Sequence, residues 1–165
     1  MKTIHFKLAL FVIIISTALT SCAKEDDGIY FNEVNEIKVS YSKIELEILD
    51  LVNKHRNSIG LQSLNKLDVI SSVAQSHTSY MVETGNVDHY NFPKRQENLV
   101  VNANAKTVGE NVAYGFNSSE GVVEAWLKSE SHRALIENKD YTHFGISTEK
   151  NIDGRNYFTQ MFIKR

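Results

Sequence analysis

The chain has 165 residues, 42% of them hydrophobic, with 18 basic and 20 acidic side chains and a net charge of −2. This slightly acidic balance argues against a nucleic acid or an anionic surface as the partner. A single cysteine excludes an intramolecular disulfide framework, so a hydrophobic core has to hold the fold together.

The N-terminus is predicted to be an export signal over residues 1–21. Lys2 and Lys7 precede an uncharged apolar run from Leu8 to Leu19, which is too short to span a bilayer comfortably. The run ends in LTSC, which resembles the lipobox of bacterial lipoproteins, where cleavage occurs just before a diacylated cysteine. We therefore expect the mature protein to begin at Cys22 and to be anchored in the membrane by acyl chains there. The alternative is an ordinary cleaved signal with an incidental cysteine.

Residues 22–40 are predicted to form a lipidated tether, with a short strand at IKVSY. Loss of Lys2 and Lys7 would leave 16 basic residues against 20 acidic ones, a net charge of −4. The sequence AKEDDG after Cys22 is a solvated charge run. It resembles the acidic run that accompanies export to the outer surface in some bacterial lipoproteins. We expect a monomer on the bacterial outer membrane or cell surface, with one domain over residues 41–165.

Helical signals occupy most of the first two thirds of this domain. SKIE at Ser42 fits a capping box, Asp68 is a plausible N-cap, and Gly85 is a C-terminal signal. The sequence SSEGVVEAW begins with serine caps. We predict helices over residues 42–58, from 68 to 85, from 118 or 119 to 128, and over 131–136.

The remaining segments are predicted to be a loop and a hairpin. Residues 86–106 are irregular and polar and include the only proline, Pro93, which predicts a long loop with one helical turn near 96–100. HFGISTE and NYFTQMFI alternate in polarity on either side of NIDGR, which predicts a β-hairpin. Helices followed by an antiparallel pair indicate an α+β fold.

One acidic residue stands out in the sequence VGENVAYG. Glu110 lies between small and apolar residues, with no lysine or arginine before it until Lys106. An isolated buried charge is costly, so this carboxylate must be hydrogen-bonded, bound to a metal or protonated.

Six ordered motifs resemble the CAP superfamily of cysteine-rich secretory, antigen 5 and pathogenesis-related proteins, in its bacterial SCP-like branch. The resemblance covers about residues 48–162. It implies a three-layer α-β-α sandwich with a central antiparallel sheet, a groove on one side, and an extracellular or envelope location. The motifs are LVNKHRNSIGLQSL, DHYNF, VGENVAYG, VVEAWLKSESHR, YTHFGIS and YFTQMF.

The resemblance also implies a set of groove residues. Eukaryotic members hold two histidines and two glutamates that can bind a divalent metal such as zinc. His89 in DHYNF and Glu110 match two of these positions, whereas Ser129 and Tyr157 occupy the other two. Half of the metal-binding set is therefore absent.

Bacterial members often carry a histidine–arginine pair after the third helix, which corresponds to His132 and Arg133 here. His89, Glu110 and His132 together would offer two imidazoles and a carboxylate, a set that suits zinc. Alternatively, Glu110 is a structural acid that accepts hydrogen bonds from these histidines or from backbone amides. Asn111 is expected to be a polar brace of the groove.

Other candidates have simpler explanations. His77 lies on an apolar helix stripe and is read as a core histidine, and His55 is expected to have a surface or helix-dipole role. Ser129, Ser131 and His132 are too close in sequence to be read as a catalytic triad, which is recognised in three dimensions.

Three functions remain open at this point. The first is a binding module whose groove, with His89, Glu110, His132 and Tyr157, takes a lipid, peptide or glycan fragment. The second is a metal-assisted hydrolase in which Glu110 is a ligand or a base. The third is an envelope structural protein without a ligand.

Overall fold

The computed structural model describes residues 38–165, so the predicted signal, Cys22 and most of the predicted tether lie outside the described residues. The described part of the chain forms one α+β fold with five helices and four strands. In chain order these are α1 (Lys43–Ser58), β1 (Asn65–Lys66), α2 (Asp68–Thr84), α3 (Phe92–Ala103), β2 (Thr107–Tyr114), α4 (Ser119–Lys128), α5 (Glu130–Ile136), β3 (His143–Lys150) and β4 (Asn156–Lys164).

Capping residues set several of the predicted helix ends, although Leu67, and not the predicted Asp68, is the N-cap of α2. Before α1, the backbone N–H and the hydroxyl of Ser42 both donate to Glu45 Oε2 at 2.7 Å, and the predicted capping box is confirmed. Gly85 ends α2 in the left-handed conformation, with φ of 72°. At the start of α4, Ser118 Oγ accepts a hydrogen bond from the Gly121 N–H at 3.1 Å.

The prediction of a long loop with one helical turn over residues 86–106 is wrong, because residues 92–103 form the 12-residue helix α3. Pro93 lies in its first turn, where a missing N–H breaks no helical hydrogen bond. The buried positions recur every four residues at Arg95, Leu99 and Ala103. One of them is an arginine, so the apolar stripe that would have revealed the helix is interrupted.

The four strands form a sheet in the order β1-β3-β4-β2. β3 and β4 form the predicted antiparallel hairpin, and β2 adds to β4 in the antiparallel direction. β1 pairs with β3 in parallel, so the sheet as a whole is mixed. The predicted strand at IKVSY is absent from residues 38–41, which have no regular secondary structure.

Helices cover both faces of the sheet, as the family resemblance implies. Phe158 and Phe162 of β4 pack with side chains of α1, α4 and α5, whereas Met161 and Ile163 pack with side chains of α2 and α3. This division follows from the alternation of side chains along a strand. Within residues 38–165, no helix is long and apolar enough to cross a membrane.

Candidate ligand-binding site

Glu110 lies on β2, the strand at one edge of the described sheet. It stands opposite Met161 of β4, so its side chain points to the face that α2 and α3 cover. The side chain is 1% exposed. A carboxylate this deeply buried requires partners that compensate for its lost hydration.

Arg95 of α3 is the principal partner of Glu110. Arg95 Nε donates to Glu110 Oε2 at 2.6 Å, and Arg95 Nη2 donates to Glu110 Oε1 at 2.7 Å. Both side chains are 1% exposed, so this is a buried bidentate ion pair. Arg95 was not among the predicted site residues, although its spacing to Leu99 and Ala103 would have placed it on the inner face of a helix.

Two histidines complete the surroundings of the carboxylate. His89 Nδ1 lies 2.8 Å from Glu110 Oε1, which confirms the predicted partnership, and the His89 side chain is 52% exposed. His77 Nε2 lies 3.9 Å from the same oxygen and donates to the Asp88 carbonyl oxygen at 2.7 Å. His77 is therefore the satisfied core histidine that the sequence predicts.

The charges in this cluster shift one another's pKa values. Burial raises the pKa of Glu110, but the hydrogen bonds from His89 and Arg95 outweigh burial, and the net pKa is lowered. The hydrogen bond to Glu110 raises the pKa of His89, partly opposed by burial. Burial and the charge of Arg95 lower the pKa of His77. At neutral pH the cluster therefore holds an ionised Glu110 and a neutral His77.

The segment Asp88–Tyr90, which we term the pinned loop, is fixed at all three residues. The Asp88 carbonyl accepts from His77, and the ring of His89 is held by the buried carboxylate. Tyr90 donates its N–H to Asp88 Oδ1 at 2.9 Å, and its carbonyl accepts from Arg95 Nη1 at 2.7 Å. One buried arginine thus supports both the carboxylate and the loop in front of it.

His132 approaches β2 from the opposite face of the sheet. Asn111 stands opposite Gln160, and its Nδ2 donates to the His132 carbonyl at 3.3 Å. The ring of His132 is engaged by Ser129, with Nδ1 2.8 Å from Oγ. The predicted grouping of His132 with Glu110 as joint metal ligands therefore lacks the required contact, because consecutive strand residues point to opposite faces.

The charge of His89 nevertheless reaches His132. Burial lowers the pKa of His132, and the charge of His89 lowers it further. Asn111, which donates to the backbone of α5, acts as the polar brace that the sequence predicts. The edge strand β2 therefore has His89 at one face, through Glu110, and His132 with Ser129 at the other, through Asn111.

Tyr157 is buried on β4, the strand next to this edge strand. It stands opposite Tyr114, with the ring centroids 4.5 Å apart. Four residues of strand, about 13 Å, separate it from Met161, which stands opposite Glu110. Tyr157 shares the face of Glu110 but belongs to a separate aromatic pair.

The residues present do not fit the divalent metal that the family resemblance implies. Both oxygens of Glu110 accept hydrogen bonds from the Arg95 guanidinium, whose charge repels a second cation. Among residues 38–165, no group of three or more histidine, cysteine, aspartate or glutamate side chains is placed to hold a metal ion. The cluster is suited instead to holding the pinned loop and the exposed ring of His89 in a fixed orientation.

Comparison with known proteins agrees with this fold. Residues 49–162 match the model of the CAP, or cysteine-rich secretory protein, family. The chain is 36% identical over 124 residues to the uncharacterised membrane protein YlbC of Bacillus subtilis (strain 168), covering 73% of this chain and 34% of YlbC. It is 31% identical over 136 residues to the uncharacterised protein YkwD of the same organism, covering 80% of this chain and 51% of YkwD. The chain thus spans about a third and about half of the length of these two relatives.

A solved structure has a similar fold. An outer surface protein from Borrelia burgdorferi superposes with a TM-score of 0.67 at 25% sequence identity. The match covers 76% of this chain and 96% of that protein. The match to the family model and the agreement in fold lead to one conclusion. The chain belongs to the CAP family of cysteine-rich secretory proteins.

Proposed function

We propose that this CAP domain is a ligand-binding module of the bacterial cell surface, exported and anchored by acyl chains on Cys22. The relatives support the location, because one is named as a membrane protein and another as an outer surface protein. The ligand is a lipid, peptide or glycan fragment that enters the groove along β2. His89, Ser129 and His132 border the proposed groove, and Glu110 and Asn111 support it from inside. Tyr157, which was expected among these residues, is buried in its pair with Tyr114.

The observation that carries this proposal is that both oxygens of the Glu110 carboxylate already accept hydrogen bonds. Arg95 and His89 together occupy both of its oxygens, and its lowered pKa makes it a poor proton acceptor. A hydrolase that used Glu110 as a base or a metal ligand would have to break the buried pair first. A binding module needs only what the pair provides, which is a fixed surface beside it.

His89 is the part of the cluster that can meet a ligand. Its Nδ1–H is directed to Glu110, so Nε2 is the ring atom left to contact a ligand. Protonation decides whether that nitrogen donates or accepts a hydrogen bond. Glu110 and Arg95 are accordingly positioning residues, and His89 is a contact residue.

Binding of defined probes to the purified full-length protein tests the module. The probes are phospholipid vesicles, peptidoglycan-derived saccharides and an extended peptide library, each measured by isothermal titration. We expect one class to bind and His89→Ala to weaken that binding at least tenfold. His143→Ala is the matched control, because His143 lies at the start of β3 and contacts Thr142 instead. Failure of all three classes to bind, or release of cleaved products, would contradict the proposal.

Anchoring is tested separately by Cys22→Ala. We expect the wild-type protein to incorporate labelled fatty acid and the variant to incorporate none. Equal incorporation by the variant would show that Cys22 is not the acylated residue.

A further inference from the structure

We propose that the pinned loop is a carbohydrate-binding platform, on which a pyranose ring stacks against Tyr90 while His89 and Asp88 hydrogen-bond its hydroxyls. The inference rests on the proposed function, since it names the ligand class and the contact residues of the same site.

A ladder of three rings supports Tyr90 from inside the protein. His77 stacks on Tyr80 with centroids 5.6 Å apart and planes 11° apart, and Tyr80 stacks on Tyr90 at 5.1 Å and 20°. The ladder begins at a buried histidine and ends at a tyrosine that is 60% exposed. One face of the Tyr90 ring therefore packs against Tyr80, while most of the residue remains exposed to solvent.

The backbone under this ring is held as firmly as the ring itself. The Tyr90 carbonyl accepts from the buried Arg95, its N–H donates to Asp88, and the Asp88 carbonyl accepts from the buried His77. An exposed side chain on a fixed backbone loses little conformational entropy when a ligand binds. Rigid, exposed tyrosines are typical of binding surfaces for the same reason.

The chemistry next to the ring favours a sugar. Tyrosine offers a flat apolar face, and here an imidazole and a carboxylate lie directly before it in the chain. A pyranose ring has the matching form, with an apolar C–H face and hydroxyls on its rim that both donate and accept. His89 and Asp88 supply the complementary acceptors and donors.

An extended peptide fits this edge less well. Strand addition needs free backbone groups along an open edge strand. On β2, the carbonyl of Val112 already accepts a hydrogen bond from Trp126 Nε1 at 3.1 Å, so one acceptor that an added strand would need is occupied. The stacking platform is therefore favoured over strand addition.

Titration of the full-length protein with soluble oligosaccharides tests this inference. The probes are an N-acetylglucosamine tetramer, a glucose tetramer and a proline-rich peptide, measured by calorimetry and by chemical shifts of the His89 and Tyr90 rings. We expect a tetrasaccharide to bind and Tyr90→Ala to weaken it about tenfold, a loss typical of removing one stacked ring. Tyr90→Trp should retain binding. Tyr114→Ala is the matched control, because it removes another exposed tyrosine of the same edge.

The outcomes separate this inference from the proposed function. Oligosaccharide binding that Tyr90→Ala leaves unchanged, or that Tyr114→Ala reduces equally, would overturn the platform and leave the binding module in place. Binding of the peptide alone would overturn the carbohydrate class. Circular dichroism identical to the wild type is required of each variant. If the alanine variant fails to fold, the chemical shifts of the wild-type Tyr90 ring decide the matter, because bound oligosaccharide that leaves them unchanged would overturn the platform. If no lipid, peptide or glycan probe binds, both proposals fall.

Discussion

Replacing Arg95 with methionine should expose how much the fold depends on the buried pair. The change removes both hydrogen bonds to Glu110 and the bond to the Tyr90 carbonyl, and it leaves an ionised carboxylate 1% exposed. Removing one partner of a buried ion pair typically costs about 3–5 kcal/mol. Since a domain of this size is stable by roughly 5–15 kcal/mol, we expect a folded but markedly weakened protein.

Urea unfolding monitored by the fluorescence of Trp126, the only tryptophan, measures this loss. The double variant Arg95→Met, Glu110→Met removes both charges and should recover most of the stability, because apolar residues of similar size can replace a buried pair at little cost. Lys94→Met is the control on the adjacent residue. Its ion pair with Glu97 spans 3.3 Å between side chains 52% and 66% exposed, so it should cost less than about 1 kcal/mol.

A loss below about 1 kcal/mol for Arg95→Met would refute the reasoning, since it would mean that Glu110 is not held by this arginine. A double variant as unstable as the sum of the two single variants would also refute it. In that case the pair would contribute through packing alone and not through mutual neutralisation of charge.

Three further changes test other parts of the structure. The wild type should have a larger free energy of unfolding than His89→Gln. This difference should be fully present below about pH 6.5 and should decline as the pH rises through the pKa of His89 in the folded protein, because the hydrogen bond to Glu110 raises that pKa. Arg56→Met should lower the free energy of unfolding, measured in urea, by about 3 kcal/mol, because Arg56 is buried and donates to four backbone carbonyls. Arg56→Lys should restore only part of this loss. Gly145→Ala should lower the thermal midpoint more than Gly109→Ala, because its Cβ would lie 2.6 Å from the Ile70 carbonyl carbon, whereas at Gly109 the obstacles are side-chain atoms and not the backbone.

Each of these has an outcome that would contradict it. A pH-independent difference between wild type and His89→Gln would mean that the charge on His89 does not favour folding. Full recovery with lysine at position 56 would show that the fork of the guanidinium is not needed. Equal midpoints for the two glycine variants would show that α2 can move away from β3.

The sequence was sufficient to predict the elements whose signals are local. Ser42 and Glu45 predict the start of α1 because they form a capping box, and Gly85 ends α2 because glycine adopts positive φ without strain. Alternation over residues 143–164 predicts the hairpin. The family resemblance then supplied the layers and placed His89 beside Glu110, which no local pattern could have done.

The features that were missed depend on contacts between distant residues. α3 was hidden because Arg95 occupies a position where the helical stripe favours an apolar residue. The two-residue strand β1 is too short to leave a periodic pattern, and its parallel pairing with β3 is set by packing. His132 was grouped with Glu110 because the face on which a side chain lies cannot be read without the register of β2 against β4.

The same arginine explains why a buried glutamate remains here without the rest of the family's metal set. A buried carboxylate that stays ionised needs compensation for its lost hydration, and a metal ion or a guanidinium can supply it. In this chain Arg95 supplies it, so Glu110 can stay ionised with Ser129 and Tyr157 at the other two positions. The pair also holds the Tyr90 carbonyl and orients His89. The buried ion pair thus fixes the loop that carries these two exposed side chains. The buried carboxylate is therefore best understood as the support of the binding surface that we propose.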